Sequence, residues 1–192
     1  LWGQDAFGTA AAISQNAFPS GSSTVYIATG QAFPDALAAA PAAKLAGAPI
    51  LLARQNGIPA PTAQELLRLA PDNIVLLGGP VAVSDDVEQT LADYTTAGTP
   101  ASVTQIWGQN QYDTAAAISA DTFEPGVPVV YVATGQHFPD ALAGGAVAAR
   151  DGAPVILVGQ SLIPDGSLAE LGRLAPQNII LLGGPEAVSP DV

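Results

Sequence analysis

The residues that decide the fold are the stretch TVYIATGQAFPDALA at positions 24–38, which recurs as VVYVATGQHFPDALA at positions 129–143. Each copy opens with a β-branched and aromatic run, passes through a Thr-Gly turn and enters an Ala/Leu segment headed by Pro-Asp. Apolar runs of this kind are typical of buried strands, and Pro before an Ala/Leu segment favours the start of a helix. The stretch therefore predicts a strand, a turn and a helix, twice over.

The repetition continues outside this stretch in one ungapped register of 105 positions. Trp-Gly-Gln stands at positions 2–4 and 107–109, and Leu-Leu-Gly-Gly-Pro stands at 76–80 and 181–185. Apolar periodicity alone would not reproduce the turns, so the match indicates duplication. We expect two tandem modules, residues 1–101 and 102–192, the first lacking the start of its first strand and the second lacking its last helix.

Apolar runs and helix-like segments alternate along each module. In the first module the predicted strands are 24–28, 49–53, 73–77 and 102–107, and the predicted helices are 4–17, 34–45, 63–69 and 84–94. Strands that are continuously apolar and separated by helices indicate a parallel sheet covered on both faces. The expected fold is α/β: a tandem of small three-layer, doubly wound, Rossmann-like modules.

Composition narrows the class of partner and the compartment. Seventeen acidic and five basic residues give a formal net charge of -12, which opposes binding to a phosphate backbone and excludes nucleic acid as the expected partner. The chain has no Cys and no Met, which excludes disulfides and thiol nucleophiles and fits an exported protein. With no signal peptide and no transmembrane segment in the sequence, we expect a processed form or a fragment.

Candidate ligand-binding residues lie where strands end, because ligands of open parallel sheets gather at the carboxyl ends of the strands. Aromatic rings in these loops can stack on sugar faces or fill gaps in the core. The candidates are Thr29, Gln31, Phe33, Asp35, Trp107, Tyr112, Thr134, Gln136, Phe138 and Asp140.

Residues of the types that commonly act in catalysis are scarce in these loops. The sole histidine, His137, matches Ala32 in the other module and is expected to be a surface residue. The repeated acids Asp35 and Asp140 could act as general bases or metal ligands, but their place in a first helical turn is explained by stabilisation of the helix dipole. Asp85-Asp86 keeps only its second acid in the other module. We predict no catalytic residue, no metal site and no cofactor, and keep an enzyme built around Asp35 and Asp140 as an alternative.

Taken together, the motifs ATGxxFPDALA, APILL and LLGGPxAVS, with the opening WGxxx[FY]xTAA, resemble the type 2 putative cell-wall-binding repeat of Gram-positive surface proteins. The resemblance covers nearly the whole chain in both copies. It implies a non-catalytic, Toprim-like module, commonly in threes about a pseudo-threefold axis, that binds anionic secondary wall polymers noncovalently. It places the protein outside the cell, at the wall or surface of a Gram-positive bacterium.

Two departures from that family pattern bear on the partner. Ala6 and Gln111 stand where the family commonly has an Arg, and two modules are present rather than three. An anionic polymer would meet a repulsive surface unless a divalent cation such as calcium bridged the acids or the ligand were neutral. The alternative is self-association of two-module units into a surface array or filament.

Overall fold

The computed structural model describes residues 1–31, 33–136 and 138–192, with side chains for all of these except Phe138 and Pro139. The prediction that His137 is a surface residue falls outside the described residues. In the first repeat the elements are α1 (Ala6–Ala17), β1 (Thr24–Thr29), α2 (Pro34–Leu45), β2 (Ile50–Ala53), α3 (Ala60–Leu69), β3 (Asn73–Leu77), α4 (Asp85–Ala92) and β4 (Val103–Ile106). In the second they are α5 (Gln111–Thr122), β5 (Val129–Thr134), α6 (Phe138–Asp151), β6 (Val155–Val158), α7 (Asp165–Leu174) and β7 (Asn178–Leu182).

The chain forms two compact units by packing, and the boundary between the sequence modules 1–101 and 102–192 stays a prediction. Unit 1 comprises Leu1–Phe33 and Ala46–Ile106, and unit 2 comprises Pro34–Leu45 and Trp107–Val192. Helix α2, which belongs to the first repeat in sequence, therefore packs as part of unit 2. Among the described residues no helix is long and apolar enough to cross a membrane.

Unit 1 contains a parallel sheet in the order β2-β1-β3-β4. Its strands are apolar because they are covered: Val25, Ile27, Leu51, Ile74 and Leu76 are fully buried. Leu66 and Leu69 of α3 and Val87 and Leu91 of α4 complete this core, while α1 packs on α3 and β2. The predicted parallel α/β arrangement is confirmed.

Unit 2 contains the parallel sheet β6-β5-β7. Helix α5 packs on β6 and α7, helix α6 packs on β5, and the incoming helix α2 lies against α5, α6 and β6. Strand β7 pairs with β5 and, in the part of the chain that the structure describes, with no other strand. Its Ile179, Ile180 and Leu181 are exposed.

A buried carboxylate fixes the helices of each unit. In unit 1 Glu65 of α3 is fully buried, accepts a hydrogen bond from the Ser14 hydroxyl of α1 at 2.5 Å and forms a 2.7 Å salt bridge with Arg68. Arg68 also donates to the carbonyl of Phe18 at the end of α1. A buried charge is tolerated only when it is paired and hydrogen-bonded, so this group of side chains holds α1 on α3.

Unit 2 repeats the arrangement residue for residue. Ser119 of α5 donates to Glu170 of α7 at 2.5 Å, Glu170 pairs with Arg173 at 2.7 Å, and Arg173 donates to the carbonyl of Phe123. The duplication thus preserves the polar contact that joins two helices as well as the apolar core.

Glu65 makes the fold sensitive to acid. Burial raises the pKa of its carboxyl, but the hydrogen bonds from Arg68 and Ser14 and the charge of Arg68 outweigh it, so the pKa lies below its usual value. A carboxylate of lowered pKa stabilises the folded state above the pKa of the unfolded chain. That contribution is lost as the pH falls through the folded value.

We expect Glu65→Gln to lower the free energy of unfolding by about 2 kcal/mol at neutral pH, because hydrogen bonds to charged groups contribute about 1.5–3 kcal/mol. The difference should shrink in acid, where the wild-type carboxyl is itself protonated. Urea unfolding across this pH range measures it, with Glu186→Gln as the same change at an exposed side chain. A loss no larger than that of the control, or one that stays constant with pH, would contradict the assignment.

Candidate ligand-binding site

The carboxyl ends of the strands in unit 1 form the edge where a ligand is expected. Strand β1 lies between β2 and β3, and the chain leaves it toward β2 before returning to β3. In open parallel sheets such a reversal opens a crevice at the carboxyl ends. The loop after β1 holds Gln31, and the loop after β2 runs from Arg54 to Pro59.

The two predicted threonines occupy the same structural position in each unit. Thr29 and Thr134 are buried at the last residue of β1 and β5. Each hydroxyl accepts a hydrogen bond from the backbone N–H two residues on, of Gln31 and Gln136 respectively, at 3.2 Å. Both hydroxyls close the turn that presents an exposed glutamine side chain. A direct ligand contact by either threonine stays a prediction.

Residues after β1 and β2 line an open cavity of about 320 Å³ in unit 1. Its lining combines amide side chains, one guanidinium and an apolar wall. The lining residues are Gln31, Arg54, Gln55, Asn56, Gly57, Ile58 and Pro59.

Backbone contacts hold the loop after β2 in place. Arg54 and Gly57 form an antiparallel bridge, with a 3.0 Å hydrogen bond from the Arg54 N–H to the Gly57 carbonyl. The side-chain amide of Gln55 donates to the backbone carbonyl of Val81 at 2.9 Å. The backbone carbonyl of Gln55 accepts a hydrogen bond from the Ser84 N–H at 2.8 Å. The cavity wall is thus tied to the loop that follows β3.

Arg54 is positioned by an aromatic ring. Its guanidinium lies 5.1 Å from the centroid of Phe7, a distance at which a cation–π attraction operates. Phe7 in turn lies on Gly30, where a Cβ would come within 2.5 Å of the ring. Glycine at position 30 therefore permits the ring to sit under the guanidinium.

Unit 2 has the same loop contacts at the equivalent position but no arginine there. Gln160 repeats the contacts of Gln55, donating to the carbonyl of Glu186 at 2.9 Å and accepting from Ser189 at 2.7 Å. Tyr112 lies against Gly135 as Phe7 lies against Gly30, but Gly159 stands at the position of Arg54. Gln111 donates to the Gly135 carbonyl at 2.9 Å. The two carboxyl-end edges therefore differ in chemistry.

The predicted acids both fall in unit 2. Asp35 lies in the first turn of α2, where burial raises the pKa of its carboxyl. Asp140 lies in the first turn of α6, and its carboxylate lies against Gly183. A Cβ added at position 183 would lie 2.5 Å from Oδ2 of Asp140. Among the described residues no group of three or more His, Asp or Glu side chains lies close enough to hold a metal ion.

The predicted aromatic residues divide between the units. Phe33, in unit 1, is 43% exposed, and Trp107, in unit 2, is 50% exposed. The side chain of Phe138 lies outside the described residues. Of the ten predicted residues, unit 1 thus holds Thr29, Gln31 and Phe33, and only Gln31 lines the cavity.

Arg54 and Asn56, in the loop after β2, are not among the residues predicted from the sequence. A signal was available, since Arg54 is the one basic residue of five that directly follows a strand. The pairing with Phe7 joins residues 47 positions apart and has no local signature.

Residues 1–88 and 105–192 each match the family Cell wall binding domain 2. The chain is 31% identical over 171 residues to an amidase enhancer of Bacillus subtilis, an alignment that covers 88% of this chain and 22% of that protein. It is 27% identical over 190 residues to the N-acetylmuramoyl-L-alanine amidase LytC of the same organism, covering 99% of this chain and 37% of the amidase.

Solved structures agree with the sequence comparison. Cwp6 from Clostridium difficile superposes with a TM-score of 0.87 at 30% identity, over 100% of this chain and 30% of its own. Cwp8 from the same organism superposes with a TM-score of 0.84 at 27% identity, over 99% and 31% respectively. The chain thus spans less than two fifths of each of these four proteins. With both repeats matched, the chain belongs to the Cell wall binding domain 2 family.

Proposed function

We propose that this chain is a non-catalytic anchoring module that binds a secondary cell-wall polymer noncovalently at the surface of a Gram-positive bacterium. The observation that carries the proposal is the cavity at the carboxyl-end edge of unit 1, where Gln31, Asn56 and Arg54 stand beside Ile58 and Pro59. Amide and guanidinium donors beside an apolar wall suit hydroxyl-rich ligands. Family membership supports the wall as the source of that ligand.

The buried carboxylates are occupied by internal hydrogen bonds and ion pairs, which does not favour a catalytic role for them. Glu65 and Glu170, the carboxylates buried deepest in the helices, are each held by an arginine and a serine. Their lone pairs serve helix packing. Asp35 and Asp140 sit in first helical turns, where the helix dipole favours an acid. An enzyme built on this aspartate pair remains the alternative, and loss of an activity in Asp35→Asn and Asp140→Asn without loss of stability would support it.

Wall binding can be tested directly. We expect the purified chain to sediment with isolated Gram-positive walls and to remain in solution when those walls have first been extracted with acid to remove secondary polymers. Equal sedimentation with extracted and intact walls would point to peptidoglycan instead. Sedimentation with neither would contradict anchoring.

The charge of the chain predicts how salt affects binding. With a net charge of -12, long-range repulsion from an anionic polymer is screened as the Debye length falls from about 30 Å at 0.01 M salt to about 8 Å at 0.15 M. Moderate salt should therefore increase the bound fraction, and calcium should increase it further by bridging carboxylates. A neutral polymer would give a bound fraction that neither addition changes.

A second candidate function, assembly of copies into a surface array, is favoured by a difference between equivalent helices. Ile118 of α5, the helix on which α2 packs, is 1% exposed, whereas the equivalent Ile13 of α1 is 51% exposed. Ala38 and Ala42 of α2 are buried, whereas the equivalent Ala143 and Val147 of α6 are exposed. Unit 1 thus presents a face like the one that α2 covers, and α6 presents a face like the one that α2 buries.

The packing of α2 on α5 and β6 within unit 2 indicates that these two faces are complementary. We propose that α6 of one copy docks on α1 and β2 of a second copy, as α2 docks on α5 and β6. Two different faces make a heterologous contact, which propagates from copy to copy unless it closes into a ring.

Light scattering over a range of concentrations tests the assembly. We expect the mass to rise with concentration, and Ile13→Asp or Val147→Asp to abolish the rise, while Leu67→Asp at an exposed position of α3 leaves it unchanged. Mixing the first two variants should restore association only as far as a dimer, since each retains one intact face. A wild-type chain that stays monomeric at all concentrations would eliminate this function.

A further inference from the structure

The cations of the chain are mostly committed to internal pairs. Arg68 and Arg173 are bound to buried glutamates, and Arg150 pairs with Asp151 at 2.7 Å. Lys44 lies in the last turn of α2, where a cation complements the helix dipole. Arg54 lines a cavity and, among the described residues, has no carboxylate within salt-bridge distance.

The backbone and the side chain of Arg54 are both restrained before any ligand binds. Its backbone is bridged to Gly57 and its guanidinium lies over the Phe7 ring. This contact restrains the long side chain, so less conformational entropy is lost when the guanidinium binds. A planar guanidinium offers paired donors that match the two oxygens of a carboxylate or a phosphate.

The surroundings of Arg54 indicate what carries that acid. Gln31 and Asn56 are exposed amides, each able to donate to and accept from hydroxyl groups. Ile58 and Pro59 supply an apolar wall against which a sugar ring can lie. An acid for the arginine, hydroxyls for the amides and a ring face for the wall are together the chemistry of an acidic saccharide.

We propose that the Arg54 cavity binds one acidic unit of a saccharide polymer, with the guanidinium pairing with a carboxylate or phosphate group and the amides of Gln31 and Asn56 binding hydroxyls. The inference rests on the proposed function, for which it names the ligand class and the contacting residues. Gly159 replaces Arg54 in unit 2, so each chain carries one such site rather than two.

The test titrates the purified chain with oligogalacturonate in one arm and glycerol phosphate oligomers in the other, which separates carboxylate from phosphate. Binding is followed calorimetrically and by the Arg54 Nε–H signal in nuclear magnetic resonance spectra. We expect one site per chain, a shift of that signal, and affinity at least about tenfold weaker in Arg54→Gln, since hydrogen bonds to charged groups contribute about 1.5–3 kcal/mol.

The control variant is Lys44→Gln, which changes the net charge equally at an exposed position outside the cavity. Arg54→Lys keeps the charge and removes the paired donors, and should bind more weakly than wild type. Equal losses in Arg54→Gln and Lys44→Gln, or two sites per chain, would overturn the proposal in favour of diffuse charge attraction.

The outcome also separates this inference from the anchoring function. If the chain binds walls and Arg54→Gln binds them equally well, the Arg54 site is wrong and anchoring stands. If Arg54-dependent binding of either oligomer is seen without wall binding, the site stands and anchoring fails. Binding of neither oligomer overturns the site, whatever the walls show.

Discussion

The pairing of a buried glutamate with an arginine and a serine is the contact on which the rest of each unit depends. A carboxylate in an apolar core is stable only with its partners in place. In unit 1 the partners come from two helices, so Ser14 and Arg68 set how α1 lies on α3. Seven residues before Ser14, on the same face of α1, stands Phe7. The Phe7 ring, over which the Arg54 guanidinium lies, is thus on the helix that the Glu65–Arg68 pair of α3 contacts through Ser14.

Duplication explains which features of the chain serve the fold and which serve a site. The Ser14–Glu65–Arg68 group recurs at positions 119, 170 and 173, and the turn-closing Thr29 recurs as Thr134. By contrast, Arg54 is replaced by Gly159, and Ile13 and Ile118 differ in exposure although the residue is the same. Comparing the two repeats therefore separates two kinds of contact. Contacts found in both repeats maintain the fold, and contacts found in one repeat indicate where the two copies differ in function or in neighbouring elements.

The sequence predicted most of the elements because each strand and helix has a local signature. The strand 73–77 and the helix 34–45 have the predicted bounds. Helix α3 begins at Ala60 rather than at 63, because Pro59 takes the extended N-cap position and Pro61 fits the first turn. The packing of α2 in unit 2 has no local signature, since its Ala-rich surface would fit either sheet.

The candidate site was predictable only in outline. The edge of the sheet follows from the topology, and Gln31 lines the cavity there, although ligand binding by Gln31 stays a prediction. Contacts such as Phe7 with Arg54 form between distant parts of the sequence. Two of the five basic residues, Arg68 and Arg173, form salt bridges with Glu65 and Glu170. The three-residue spacing within α3 and α7 already allowed that pairing.

Under the proposed function, an acidic chain can bind a wall polymer without strong electrostatic attraction, because Arg54 lines a cavity and has no carboxylate partner among the described residues. Diffuse positive charge would bind any polyanion and would weaken steeply with salt. In the proposed site, a single oriented guanidinium beside amides would select an acid on a sugar, while the net charge of -12 opposes nonspecific contacts with polyanions. One such contact is weak, but a polymer presents the same unit many times, so a chain that releases one unit remains close to the next. Under the proposed function, retention at a wall therefore depends on how often the polymer repeats the acidic unit as well as on the affinity of the one cavity.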